Sequence, residues 1–388
     1  MVHGIYLDNS MATRPSDKSV ARMLSFFTQQ YGSPSAPHLM GQELFTSIEE
    51  SLKSIYALLG ASDQDDFVFT SSVAEAVNQV FLSSYLDVTR STGKNQFITS
   101  HIDEAPAIMS LRRLQDHMNC VGKFVNPDHQ GKVTAEAIAE AITPRTALIS
   151  LSWANGLTGV INPIADIAKV CDERGILLHV EASHILGKLF YELDEIKPAF
   201  ITFEGSLLHA PAGSGGLYVK AGHHFSPFIV GGLEQAGKRA GAFSVPSLAA
   251  LGLAAVEALE SRDFMCTEIS RLRNKLEDGI LNVFPNAVVF FRDQERLPHC
   301  TTIGFPGIVN EALLFNLNRR NVFASIGGGS FQQLGLILKA SGISDDLSQT
   351  AINFSLSRFT TEDEIDRAVE IIGETTQRLS KTSKHLDK

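Results

Sequence analysis

The chain has 388 residues, 44% hydrophobic and 20% charged, an ordinary globular mix that excludes a wholly disordered polymer. Single cores stop growing near about 250–300 residues, so this length implies at least two. The net charge of −10 gains nothing from a phosphate backbone, which argues against broad nucleic-acid binding, and no apolar run approaches the roughly 20 residues of a membrane span.

The opening MVHGIYLDNS lacks the basic and long apolar segments of a signal peptide. Cys120, Cys171, Cys266 and Cys300 are far apart and form no CxxC pair. Neither a zinc knuckle nor a disulfide framework is indicated, and a reducing cytoplasm fits.

In chain order, Leu44, Phe45, Ile48, Leu52, Ile55, Tyr56 and Leu59 recur at helical spacing. They predict an amphipathic helix that stops at Gly60. Short strands are predicted within Asp65–Ser72 (DDFVFTSS) and over Asn95–Thr99 and Thr146–Ser152. A helix over Ile164–Arg174 leads to strands at Gly175–Val180, Phe200–Phe203 and Gly216–Val219. Strands alternating with helices argue for an α/β layer on a mostly parallel sheet. Ligands of such sheets sit at the carboxyl ends of the strands. The segments to inspect are therefore Thr70–Glu75, Ser100–Ala105, Ser152–Gly159, Glu181–His184 and Glu204–His209.

Ser247–Phe284 reads as a long helical region. Strands at Ala287–Phe291 and Thr301–Phe305 follow, then a helix near Asn310–Arg319, a last helix from Glu362, and a polar tail from Ser380. The expected fold is a three-layer α/β sandwich with a mostly parallel central sheet, plus a smaller α+β domain. The expected division is 16–246 for the large domain against 1–15 with 247–388 for the small one, joined by the long helix.

Common motifs are absent: no GxxxxGK[ST], no GxGxxG after the first strand, no HExxH and no GxSxG. The run Gly327–Gly329 reads as a sharply turning loop, with an anion-cradling loop as the alternative. His223–His224 reads as a solvated pair rather than a metal site.

Six segments carry more information together than any one alone. They are IYLDNSMAT (Ile5–Thr13), YGSPSAPHLMG (Tyr31–Gly41), FTSSVAEAVN (Phe69–Asn78), WANGLTGVINPI (Trp153–Ile164), HVEASHILGKL (His179–Leu189) and FSLSRFTTEDEID (Phe354–Asp366). Their order and spacing resemble the cysteine desulfurases of the class V aminotransferase family, fold type I of the pyridoxal phosphate (PLP) enzymes. The resemblance covers nearly the whole chain. It implies a lysine that forms a Schiff base with PLP and an acid that holds the pyridinium nitrogen protonated. It also implies a histidine stacked on the ring, a phosphate cradle of hydroxyls and backbone N–H groups, and a cysteine on a loop.

This sequence departs from that pattern at nearly every such position. The lysine position is Leu207, which cannot form an imine, and the preceding histidine position is Ser206. The phosphate-side serine position is Glu204 and the phosphate threonine is Ala74. The stacking histidine falls on Glu104, the pyridinium aspartate on Glu181 and the following glutamine on His184. A cross-subunit threonine falls on Ala242, and the catalytic cysteine on Ser330 or Gly329. Asn155, near the ring in the family, and Arg358, at the substrate-carboxylate position, are retained. Lys188 belongs to a Gly-Lys-Leu turn that the family also has as a structural feature.

Each survivor also has a plainer reading. Arg358 pairs with a structural carboxylate, Asn155 caps a turn, Ser330 is a loop residue, and His184 and His209 are hydrogen-bonded pocket histidines. Glu104, Glu181 and Glu204 fall together where a phosphorylated cofactor would lie. A like-charge contact at 4 Å costs about 4 kcal/mol at an effective dielectric of 20. The clustering implies raised carboxyl pKa values in preference to a bound cation. The expected function is a desulfurase-like pseudoenzyme with a binding or regulatory role, no cofactor and no metal. Two alternatives stand: an active enzyme with altered, PLP-independent chemistry on a cationic or neutral metabolite, and residual PLP-dependent cysteine desulfurase or aminotransferase activity. The expected partner is a second copy, alternatively an active paralogue or an iron–sulfur assembly protein, with neither nucleic acid nor membrane.

Overall fold

The computed structural model describes residues 4–328 and 332–386. The strands are β1 (Ile5–Tyr6), β2 (Asp66–Thr70), β3 (Gln96–Ser100), β4 (Val121–Val125), β5 (Thr146–Ser152), β6 (Leu177–Glu181), β7 (Phe200–Glu204) and β8 (Gly215–Val219). Further along are β9 (Val288–Val289), β10 (Cys300–Gly304), β11 (Val322–Phe323), β12 (Gly327–Gly328), β13 (Gln332–Gln333) and β14 (Ala351–Ser355).

β3, β5 and β8 are buried along their whole length, as strands covered on both faces must be. They belong to a seven-stranded sheet of order β2-β8-β7-β6-β5-β3-β4. Pairing is parallel from β4 through β3, β5 and β6 to β7. Only β8 runs against its two neighbours in this sheet. The sheet is therefore mixed but mostly parallel, with helices on its faces, as the sequence predicts.

The helix Leu39–Leu59 ends at Gly60, whose φ of 69° is a left-handed cap that suits glycine. The helix Val73–Ser84 starts from Ser72, whose side chain accepts from Glu75 N. The long helical region is a helix over Val245–Glu260, a short turn, a π-turn over Met265–Ile269 and a helix over Ser270–Val283. The Val245–Glu260 helix buries Leu248, Leu251, Ala254 and Ala255 in the large core. The predicted strand Ala287–Phe291 shrinks to β9, and Phe291 takes a left-handed φ of 53°.

A second core lies around the antiparallel sheet β14-β10-β9. It gathers Leu7, Leu272, Leu276, Phe305, Phe354 and Ile365. The first residues run as a strap between the two cores. Ile5 pairs with Val322 and Asn9 N donates to Ser355 O (3.3 Å). Thr13 N then donates to Ser206 O (3.1 Å) and Ser16 N to His209 O (2.9 Å).

The carboxyl ends of β2, β3, β5, β6 and β7 share one edge of the sheet. Among the described residues no helix is long and apolar enough to cross a membrane, and no group of three or more metal-ligating side chains exists.

Candidate active site

The edge formed by these strand ends opens into a cavity of about 200 Å³. Its wall includes Glu104, Glu181, His184, Glu204 and Leu207.

Glu181 closes β6 and is 5% exposed. Its Oε1 accepts from Ser183 N (3.0 Å) and from Ser183 Oγ. Its Oε2 has no hydrogen-bond partner among the described residues. Burial pushes this carboxyl up to about 7; the nearby His184 opposes the rise and Glu104 adds to it. His184 is also buried, with Nε2 3.6 Å from Glu104 Oε1. Its ring lies against Gly156, where an added Cβ would fall 2.2 Å from His184 Nε2. Glu104 stands just before the helix Ala105–Met118 with its side chain a quarter exposed.

Glu204 closes β7 and reaches across to a neighbouring helix. Its Oε2 accepts from Val73 N at 2.8 Å, the first residue of the helix Val73–Ser84. A helix start carries unpaired N–H donors and the positive end of the helix dipole, so it attracts anions. Here the protein's own carboxylate takes that place. Glu204 N donates to Ser183 Oγ (2.8 Å), so Ser183 joins the ends of β6 and β7. Burial raises the Glu204 carboxyl, opposed by the bonds from Val73 and Ser206. In the same first turn, Glu75 is paired with Arg239 at 2.8 Å.

Leu207 lies in the tight turn Gly205–Leu208 and is buried. Its carbonyl accepts from Lys188 Nζ (3.1 Å), which also donates to Ser183 O (3.0 Å). Sequence reasoning read Lys188 as a turn residue and missed that its amine lies beside Leu207. No local pattern signals it, because the neighbour is 19 residues away. Burial lowers the Lys188 amine to about 7, opposed by Glu181 and aided by Arg358. The amine bonds backbone carbonyls, and Lys188 is not part of the cavity wall. His209 follows with a left-handed φ of 65°; its Nδ1 bonds Arg14 O (2.7 Å). Burial lowers the His209 ring to about 3, and Arg358 adds to the fall.

The remaining sites named from sequence, where described, fall outside the cavity wall. Asn155 engages both ends of its amide, the oxygen within its own loop and the nitrogen on the segment after β3. Its Nδ2 donates to Ile102 O (2.9 Å), and its Oδ1 accepts from Leu157 N (3.0 Å) and Thr158 N (2.9 Å). Arg358 Nη2 is 2.9 Å from Glu257 Oε2, and both side chains are mostly buried. Ser206 O is held by the strap through Thr13 Oγ1 (2.7 Å). Ala74 and Ala242 are exposed. Gly329 and Ser330 lie outside the described residues. Ser10 and Ser183, unremarked in the sequence, do line the cavity.

A family model, aminotransferase class-V, matches residues 5–368. The chain belongs to the class-V aminotransferase family. It is 35% identical over 372 residues to cysteine desulfurase NifS of Azotobacter vinelandii, covering 94% of this chain and 90% of that one. It is 33% identical to a cysteine desulfurase of Bradyrhizobium diazoefficiens, covering 98% and 96%. Among solved structures, a NifS-like protein superposes with a TM-score of 0.89 at 27% identity, covering 96% and 99%. A NifS-like protein from Rickettsia africae gives 0.85 at 23% identity, covering 97% and 100%, a likeness of fold alone.

The fold of PLP transferases is thus shared. Among the described residues the cavity wall includes no lysine, Leu207 is buried in its turn, and the start of the helix Val73–Ser84 is bonded to Glu204.

Proposed function

We propose that this class-V family member is a cysteine desulfurase-like pseudoenzyme of the cytoplasm, with a binding or regulatory role in place of PLP chemistry. The observation that carries the reading is Leu207, which supplies no amine at the turn where the family holds its cofactor. The Glu204 bond to Val73 N supports it, because a second anion at that helix start would meet a carboxylate at close range. We propose the same division of the chain as the sequence suggests, 16–246 against 1–15 with 247–388.

One observation favours a second reading, residual PLP-dependent activity. Lys188 Nζ lies 3.1 Å from Leu207 O, and burial lowers its pKa to about 7, so it is an amine of reactive type. Incubation with PLP, borohydride reduction and peptide mapping separate the two. No adduct is expected. A stoichiometric adduct on Lys188, with alanine released from cysteine, would replace the pseudoenzyme reading with the second.

We also propose a homodimer. The helices Asp17–Thr28 and Leu39–Leu59 leave Leu24, Phe27, Leu39 and Phe45 about half exposed or more, apolar surface that a second copy would cover. Sedimentation equilibrium should return twice the chain mass. A monomer at micromolar concentration would sink this assignment.

A further inference from the structure

This inference rests on the reading of the cavity as the protein's binding site, and it concerns how the cavity is entered. Of the residues on its wall, only Met11 is exposed, at 40%. Val73, Glu104, Pro106 and Glu204 are half-buried, and the others are buried. A side chain that touches both the cavity and the solvent stands at the mouth. The far end of Met11 reaches β12. A methyl group added at Gly328 would fall 2.7 Å from Met11 Cε, so the missing side chain there is what gives the methionine its seat.

The backbone on either side of Met11 is anchored. Asn9 Nδ2 donates to Ser355 O (2.9 Å) and Ser10 N to Ser355 Oγ (2.8 Å), at the end of β14. Tyr6 Oη donates to Ala12 O (2.9 Å), and Thr13 Oγ1 to Ser206 O (2.7 Å), beside Leu207. Met11 N itself donates to Asp8 O (3.2 Å). Between these anchors the side chain is what can move. Methionine is unbranched, with three rotatable bonds, and exposed side chains change rotamer in picoseconds to nanoseconds.

We propose that Met11 is the gate of the cavity: seated against Gly328 it closes the mouth, and swung into solvent it admits a ligand, with the strap backbone unmoved. Because the swing is fast, an entering molecule meets an equilibrium between the two positions. Entry then scales with the fraction swung out. A wider molecule needs the full swing, so Met11 also sets the size of what enters.

The test reads the accessibility of a thiol placed on the wall. Leu207→Cys in the full chain is labelled with N-ethylmaleimide under native conditions. Peptide mass mapping follows that site, with the buried Cys171 as internal control. Adding Met11→Ala should speed labelling of the Leu207→Cys thiol by about tenfold or more, the factor for a swung-out state populated at about a tenth or less. Met11→Leu keeps most of the volume and should keep labelling slow. Gly328→Ala, which takes the seat of the Met11 methyl, should change the rate on its own and have no effect in combination with Met11→Ala. Cys171 should label at one rate throughout. If Leu207→Cys fails to fold, Val77→Cys, also on the wall, keeps the test valid. Equal labelling with and without Met11→Ala, an acceleration shared by Cys171, or a Gly328→Ala effect that persists alongside Met11→Ala would each overturn the gate. A borohydride-trapped lysine adduct overturns the pseudoenzyme reading and leaves the gate standing. Unchanged labelling overturns the gate alone.

Discussion

Replacing Arg358 with alanine should cost the protein about 3 kcal/mol of stability, read from urea unfolding midpoints at unchanged slope. The guanidinium is 2.9 Å from Glu257, with side-chain exposures of 9% and 14%. Removing one partner of a buried pair leaves the other charge uncompensated, which costs about 3–5 kcal/mol. The low end applies because both groups keep some contact with water. The guanidinium also lies over the Phe359 ring, 5.2 Å from its centre, so packing is lost with the charge. Arg358→Met with Glu257→Gln should recover most of the loss, because no charge is then stranded. If Arg358 were instead held ready for a substrate carboxylate, truncation would leave stability within about 0.5 kcal/mol. That result would reject the structural pairing.

Glu181→Gln should stabilise the protein more at alkaline than at acid pH. The Glu181 carboxyl stands at about 7 against an ordinary 4.5, raised first by burial. A group whose folded pKa lies above its unfolded value contributes stability below the unfolded pKa. That contribution is lost as pH rises through the folded one. Ionised Glu181 therefore weighs against the fold by about 3 kcal/mol near pH 8 and by less than about 1 near pH 5. Glutamine keeps an acceptor for Ser183 and carries no charge. The stability difference between variant and parent should grow by about 2–3 kcal/mol between those two pH values. Lys188, lowered to about 7 and held up in part by Glu181, has the opposite slope, and losing Glu181 deepens its fall. A difference that stays flat with pH would show that Glu181 titrates as an ordinary carboxyl.

The central sheet was legible because its strands announce themselves. Thr146–Ser152 is an unbroken buried run, and Phe200–Phe203 is the same. β4 was not, since VGKFV is only partly buried along most of its length at the sheet edge. The helices Asp17–Thr28, Val73–Ser84 and Ala105–Met118 were passed over, although Ser16 and Ser72 cap two of them. Glu104, Glu181 and Glu204 were legible as a group because the resemblance set all three at one pocket, and the structure brings them to one cavity wall. What sequence could not give is which atoms they meet. Glu204 finds Val73 across 131 positions, and Arg358 finds Glu257 across 101. Such pairings depend on how helices settle on the sheet, and no local spacing encodes them. Asn155 shows the converse. Its residue type suggested a ring contact or a turn cap, and its bonds to Leu157 and Thr158 are those of the cap.

The strap formed by the first residues bears on how the protein is handled in the laboratory. Thr13 and Ser16 bond the turn that carries Ser206, Leu207 and His209, while Ile5 and Asn9 bond the second core. A version trimmed to begin at residue 16 would lose the strands of this lacing from the very turn on which the assays above depend. A purification tag belongs at the far end of the chain, beyond the helix Glu362–Leu386, where it leaves that turn undisturbed.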